Sequence, residues 1–275
     1  MIIRPVHQDE YKRVRQLCSL AFEYVDRGIE LPSMEMLRLA NSSPRRRQEI
    51  YTDSIWAAYE DDDRTMMAAM TLVPYHAHFD GYQMDMIGIG GVATLPQYRR
   101  GGCIRKCFEK ALPDMYERGA AFSYLYPFST AFYRKFGYEL ACERNLYKLA
   151  LVGMPAFEVE GTYHLLEEGT DLKEDIRQIH HAFEKRYNMM IIDEDIEYKW
   201  IDEYDPFTQR EYTYVYRSAD GTPKAVVTYK PVVDDGDRTL DCDKSLYFAD
   251  MEGLKAVIAL LKRLQADHSH CAHKH

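Results

Sequence analysis

The sequence predicts a mixed α/β fold in two units. Short strands and amphipathic helices alternate through the first 150 residues, with a clean helical period after Gly102. A second helix, hairpin, strand and helix follow from Thr170 onward. At 275 residues the chain is long for one domain and suits two, read as 1–155 and 156–275.

The elements follow from period and punctuation. Ile2, Ile3, Pro5 and Val6 read as a strand. Val14, Leu17, Cys18, Ala21, Phe22 and Val25 recur at helical spacing. Ser33 offers an N-cap for a second helix to about Ala40. Residues 55–59 and 66–73 form two strands around the acidic turn Glu60–Asp63. A further strand at 84–93 carries Gly88, Gly90 and Gly91, and glycine inside a strand marks a bulge or a close approach. Ile104, Cys107, Phe108, Ala111, Leu112, Met115 and Tyr116 define the next helix, with Pro113 expected to kink it and Gly119 to end it. A strand at 121–126, a short helix at 129–135 and a strand from Tyr138 to about Leu151 complete the first unit. Residues 158–169 serve as a linker or edge segment. The second unit reads as a helix at 172–187, an acidic stretch at 193–205, a hairpin of 212–216 with 225–229, a strand at 246–249 and a helix at 251–264. This is a partial repeat of the first unit, with the chain ending before the repeat is complete.

Composition narrows the function. Apolar residues make up 46% and charged residues 29%, as in ordinary globular proteins. No apolar run reaches 18 residues and no secretory signal is visible, so the expected location is cytoplasmic, with no membrane partner. A net charge of −9 argues against nucleic acid. The six cysteines are scattered without zinc-ribbon spacing, and Cys103 and Cys107 read as small core residues. The alternating histidines of 268–275 read as a frayed polar tail rather than a metal site; no metal is expected.

The motif that carries chemistry is Val92-Ala93-Thr94-Leu95-Pro96-Gln97-Tyr98-Arg99-Arg100-Gly101-Gly102-Cys103-Ile104-Arg105. It lies where a strand hands over to a helix, whose first N–H groups lack partners and favour an anion. Gly101 and Gly102 permit close backbone approach, and Arg99, Arg100 and Arg105 add positive charge. A pyrophosphate fits; a Gly-Gly turn before a solvated basic helix is the plain alternative. A dinucleotide site at Gly88–Ala93 is rejected, because Thr94-Leu95-Pro96 follows where a helix should open. A P-loop fails for want of Gly-Lys-Ser/Thr.

With strand, loop and helix in place, the chain resembles the GNAT acetyltransferase superfamily, in which a bulged fourth strand runs into a [QR]-x-x-G-x-[GA] loop. Arg99 and Gly102 match, and Ile104 departs from the small last residue. The segment Tyr126–Tyr138, with Phe132-Tyr133-Arg134-Lys135-Phe136-Gly137-Tyr138, narrows the resemblance to the Eis-like (enhanced intracellular survival type) branch, where an aliphatic residue at the Ile104 position is also found. The match is closest over residues 1 to about 150. It implies a GNAT acyltransferase fold followed by a partial second GNAT-like unit, with acetyl-CoA as co-substrate. It further implies that Val92, Ala93 and Thr94 hold the pantetheine arm and thioester through their backbone. The loop Arg99, Arg100, Gly101, Gly102, Cys103, Ile104 and Arg105 would cradle the pyrophosphate. Phe128 and Ser129 would line the thiol end, and Tyr133 would be the general acid. The C-terminal carboxylate that serves as base in that branch is not carried over to His275.

Transfer to an amine requires a neutral amine, a polarised carbonyl and a proton for the leaving sulfur; a tyrosine hydroxyl, with a pKa of ~10, can donate that proton. The expected function is N-acetyl transfer to a primary amine, on a small polyamine- or aminoglycoside-like molecule or a protein lysine. A non-catalytic CoA-binding module is the alternative. Glu23 and Asp26 could attract a cationic acceptor, although a solvated helix end is the plainer reading. An exposed sheet face in an incomplete second unit would favour a homo-oligomer.

Overall fold

The computed structural model describes residues 1–25, 55–143, 145–192, 201–202, 204–234 and 236–274. The second helix expected at 33–40 and the candidate Asp26 lie outside them. Two compact units divide at Leu140 and Ala141, upstream of the boundary read from the sequence.

In the first unit, β1 (Ile2–Pro5), β2 (Ile55–Tyr59), β3 (Met66–Phe79), β4 (Tyr82–Thr94) and β5 (Phe122–Leu125) form one sheet in sequence order. All neighbours are antiparallel except β4 and β5. Helix α1 (Tyr11–Phe22) covers one face: Val14 and Leu17 pack with Ile55, Ala57, Tyr59, Ala69 and Ala93. Helix α2 (Cys103–Glu117) covers the other, where Cys107, Phe108, Ala111 and Met115 meet Ala58, Met70, Leu72 and Ile89. The i, i+3, i+4 spacing of these residues explains the docking. α2 runs unbroken through Pro113. Its end is closed by Gly119 at φ +86°, with Ala120 N donating to Met115 O.

Two details of this sheet set β4 apart. β4 pairs with β5 only over Met86–Ile89, so residues 90–94 have β3 along one side and, among the described residues, no strand along the other. Within that stretch Gly90 faces Thr71 and Ala93 faces Ala69, leaving Gly91 and Val92 opposite Met70. That two-against-one count is a β-bulge, which bends and re-aims the strand.

A half-buried ion pair ties α1 to the sheet. The Arg4 guanidinium donates to both oxygens of Glu10 at 2.9 and 3.0 Å and lies 3.9 Å above the Tyr59 ring, whose hydroxyl donates to Glu10 at 3.0 Å. Burial pushes the Glu10 carboxyl up, but bonds from Arg4, the His7 amide and Tyr59 outweigh it and hold the pKa at about 2. Because this folded-state value lies below the unfolded one, the stabilisation is present above pH ~4.5 and is lost as pH falls toward 2. Glu10→Gln is therefore expected to lower the urea midpoint at pH 7, with the gap to wild type closing below pH 3.

The second unit carries β6 (Leu146–Ala150), β7 (Thr162–Leu165), β8 (Tyr212–Arg217), β9 (Pro223–Asp234), β10 (Asp237–Phe248) and β11 (His270–Lys274), in the sheet order β6-β11-β10-β9-β8-β7. Read from β7, it repeats the first sheet, including the closing parallel pair β10–β11, and adds β6. Helix α4 (Lys173–Glu184) packs Ile176 and Ile179 on one face, and α6 (Met251–Arg263) packs Ala256, Val257 and Leu261 on the other. The short helices α3 (Thr130–Tyr133) and α5 (Pro206–Gln209) lie in loops.

Two expectations are corrected. The strand read from Tyr138 to Leu151 is confined to β6, which pairs with β11 in the second sheet. The frayed tail is itself a strand: Leu240, Cys271 and Leu149 meet across β10, β11 and β6. Cys271 is 6% exposed, so the alternation of His270, Cys271, Ala272 and His273 is strand periodicity with Cys271 turned inward.

Candidate active site

The loop after β4 is wound on itself. Leu95 N donates to Met67 O, Tyr98 N to Leu95 O, Arg99 N to Pro96 O and Gly101 N to Tyr98 O. The Tyr98 hydroxyl donates to Glu60, anchoring the loop to the turn after β2; that bond, before burial, raises the Tyr98 pKa. Arg100 and Gly102 take left-handed backbone, φ +66° and +82°. A Cβ on Gly101 would stand 3.0 Å from Tyr98 O, so only glycine fits comfortably there.

The intrahelical ladder of α2 begins with Lys106 N donating to Gly102 O, so the N–H groups of Cys103, Ile104 and Arg105 have no intrahelical acceptor. Gly102 brings no capping side chain, and the first turn carries no acid. Arg99, Arg100 and Arg105 are exposed, and among the described residues none forms an ion pair. The side chains of Cys103 and Ile104 point the other way, 3% and 8% exposed in the core. Both cysteines are structural: burial raises the Cys103 thiol and pushes Cys107 to about 12. Thus the loop can present Arg99, Arg100 and Arg105 side chains together with the amides of 103–105 to an anion, while Ile104 contributes backbone alone.

Tyr133 belongs to the same core cluster as Cys103, Ile104 and Phe108, with Val92 packed against it. Ser129 caps α3 by accepting from Phe132 N at 3.3 Å. The Tyr133 ring is held edge-on by Phe128 (5.4 Å between centroids), Phe132 (5.1 Å), Phe108 (6.3 Å) and Tyr138 (6.3 Å). Burial, then the neighbouring Tyr138, raises its pKa, so the phenol stays protonated at neutral pH. Its hydroxyl makes no hydrogen bond among the described residues. The rival tyrosines differ: the Tyr138 hydroxyl is 2.6 Å from Ser123 Oγ, and Tyr126 is 84% exposed.

The remaining candidates are placed as follows. Ala93 is buried toward α1, and Thr94 sits opposite Ala68 at the end of β4. Glu23 is the exposed, left-handed C-cap of α1. Among the described residues no hydrogen bond or ion pair links it to Tyr133. Sequence reasoning missed the Tyr98–Glu60 anchor, the Ser123–Tyr138 pair and Cys18, whose Sγ reaches Gly91 O at 3.8 Å; each joins residues distant in the chain and leaves no local pattern. Among the described residues no group of three metal-ligating side chains stands together, and no helix is long and apolar enough to cross a membrane.

Comparison with known proteins settles what this architecture is. The acetyltransferase (GNAT) domain family matches residues 2–141, half of the chain and the whole first unit. The chain belongs to the GNAT acetyltransferase family. Solved GNAT-type structures follow both units. A probable N-acyltransferase from Enterococcus faecalis V583 is 21% identical with a TM-score of 0.77, covering 99% of this chain and 64% of that one. A GCN5-related N-acetyltransferase from Anabaena variabilis is 13% identical with a TM-score of 0.79, covering 100% and 65%. Eis1 from Mycobacterium abscessus is 16% identical with a TM-score of 0.73, covering 99% and 64%. The present chain thus spans less than two thirds of the length of each. A sequence search of curated proteins finds no match.

The two GNAT-type sheets differ at the equivalent helix start. In the second unit Asp250 caps α6, accepting from Gly253 N at 3.0 Å while pairing with Lys224 at 2.7 Å, and Glu252 follows in the first turn. Carboxylates occupy that helix start, where the first unit leaves amides and arginines for an anion.

Proposed function

We propose that this GNAT protein moves an acetyl group from acetyl-CoA to a primary amine, on a small polyamine- or aminoglycoside-like molecule or a protein lysine, with Tyr133 as general acid. The observation that carries the reading is the pairing of two features in one core. One is an uncapped, arginine-flanked helix start, and the other is a protonated tyrosine whose hydroxyl makes no hydrogen bond among the described residues.

The residues fit the co-substrate. The amides of Cys103, Ile104 and Arg105, with Arg99, Arg100 and Arg105, suit a pyrophosphate. The open edge of β4 at 92–94 offers backbone groups to an extended arm, as an unpaired strand edge does. Phe128, 72% exposed beside Tyr133, gives the thiol end an apolar wall. Acetyl-CoA supplies the activated acyl group. As the amine nitrogen bonds to the acyl carbon and the C–S bond breaks, the Tyr133 hydroxyl gives its proton to sulfur and regains one from solvent. Water removes the proton lost by the amine.

Acetyl-CoA is expected to raise the melting temperature of the purified chain, since a ligand at about 100 times its Kd stabilises the native state by ~2.7 kcal/mol. Arg100→Ala should weaken binding by about 5- to 10-fold, shifting the titration without changing the unliganded melting point. Absence of any shift with millimolar acetyl-CoA would sink the proposal. A shift without thiol release against a panel of amines would leave a CoA-binding module.

A further inference from the structure

Gly91 is enclosed from outside its own strand. Its φ of +56° lies in the left-handed region, and a Cβ there would stand 3.1 Å from Thr71 Oγ1 and 3.5 Å from Cys18 Sγ. The Cys18 thiol also reaches the Gly91 carbonyl at 3.8 Å. Two polar side chains, one from α1 and one from β3, thus fill the space that a side chain at the bulge would take. Cys18 itself is fixed, because Val14 and Leu17 on the same helix are 2% and 1% exposed. Burial pushes the thiol to about 11, so it remains an S–H donor at neutral pH.

We propose that Cys18 is a positioning residue for acyl transfer: with Thr71 it clamps the Gly91 bulge and so fixes the backbone of Val92, Ala93 and Thr94. The catalytic meaning rests on the reading that 92–94 hold the acyl donor. The physical link is short. The bulge sets the direction of the strand beyond it, and Gly91 is bonded directly to Val92. Without the clamp a glycine in the left-handed region has several accessible conformations, and a donor displaced by about 1 Å can cost up to ~100-fold in rate. The S–H···O contact is weak; filling the space beside the glycine is the larger effect, which makes serine a partial substitute and alanine a poor one.

The test combines hydrogen–deuterium exchange with steady-state kinetics on the purified chain and its Cys18→Ala, Cys18→Ser and Thr71→Ala variants. In Cys18→Ala, exchange across 91–94 should rise about 10-fold, while 55–59 in β2 exchanges as in wild type. The kcat for the amine should fall about 10-fold with the acetyl-CoA Kd, set mainly by the arginine loop, changed less than about 3-fold. Cys18→Ser should recover most of both losses, and Thr71→Ala should reproduce them in part. Unchanged exchange at 91–94 in both Cys18→Ala and Thr71→Ala overturns the clamp. So does loosening spread over the whole sheet, or equal impairment by serine and alanine. A loosened bulge in Cys18→Ala beside a wild type that transfers acetyl to no amine upholds the clamp and overturns the acetyl-transfer reading instead.

Discussion

Tyr133→Phe is expected to lower acetyl transfer by about 10²- to 10⁴-fold, the range that general acid catalysis supplies, while acetyl-CoA still binds within about 3-fold of wild type. Phenylalanine keeps the ring and its edge-on contacts with Phe108, Phe128 and Phe132, so only the hydroxyl is lost. Among the described residues that hydroxyl has no hydrogen-bond partner to leave unsatisfied, and folding should be unaffected. Thiol release under single-turnover conditions isolates the step. The pH profile gives a second readout: burial raises the Tyr133 pKa, so any falling alkaline limb lies above pH ~10 and disappears in the variant. Tyr138→Phe is the control. It deletes the bond to Ser123 at 2.6 Å and should cost ~1 kcal/mol of stability with transfer within a few-fold of wild type. Transfer at the wild-type rate in Tyr133→Phe refutes its role as acid.

What the sequence made legible was local. Period 3.6 after Gly102 places α2, and the short helix read over 129–135 is met by α3 and the 3₁₀ turn behind it, Arg134–Phe136. Both signals lie within one element. The strand at 138–151 was misplaced because its partner, β11, lies more than 100 residues away, and alternation alone does not say which sheet a strand joins. The tail failed for a related reason: polar alternation at 268–275 reads as solvated until Cys271 is seen between Leu240 and Leu149. At the candidate site, the loop from Arg99 to Arg105 was readable as a proposed anion cradle. The contacts holding it, Tyr98 to Glu60 and Cys18 to Gly91, span 38 and 73 residues. Contacts of that range leave no trace in spacing.

The contrast between the two sheets yields the second large effect. Gly102→Asp places a carboxylate at the start of α2, as Asp250 does at the start of α6. Aspartate tolerates the left-handed φ of +82° better than most residues, and a carboxylate at a helix N-terminus is favourable for the helix itself. The unliganded protein should therefore fold with a melting point within a few degrees of wild type. The amides of 103–105 would then face a fixed negative charge, and like charges brought together in a binding site cost several kcal/mol. Acetyl-CoA affinity should fall about 100-fold or more by titration calorimetry. Gly102→Asn has nearly the same shape without the charge and should lose about 10-fold. Raising the salt concentration should narrow the gap between the two variants, because only the charge effect is screened. Equal losses in Asp and Asn at every salt concentration would show that the site is governed by shape. Wild-type affinity in both would remove the pyrophosphate from this helix start altogether.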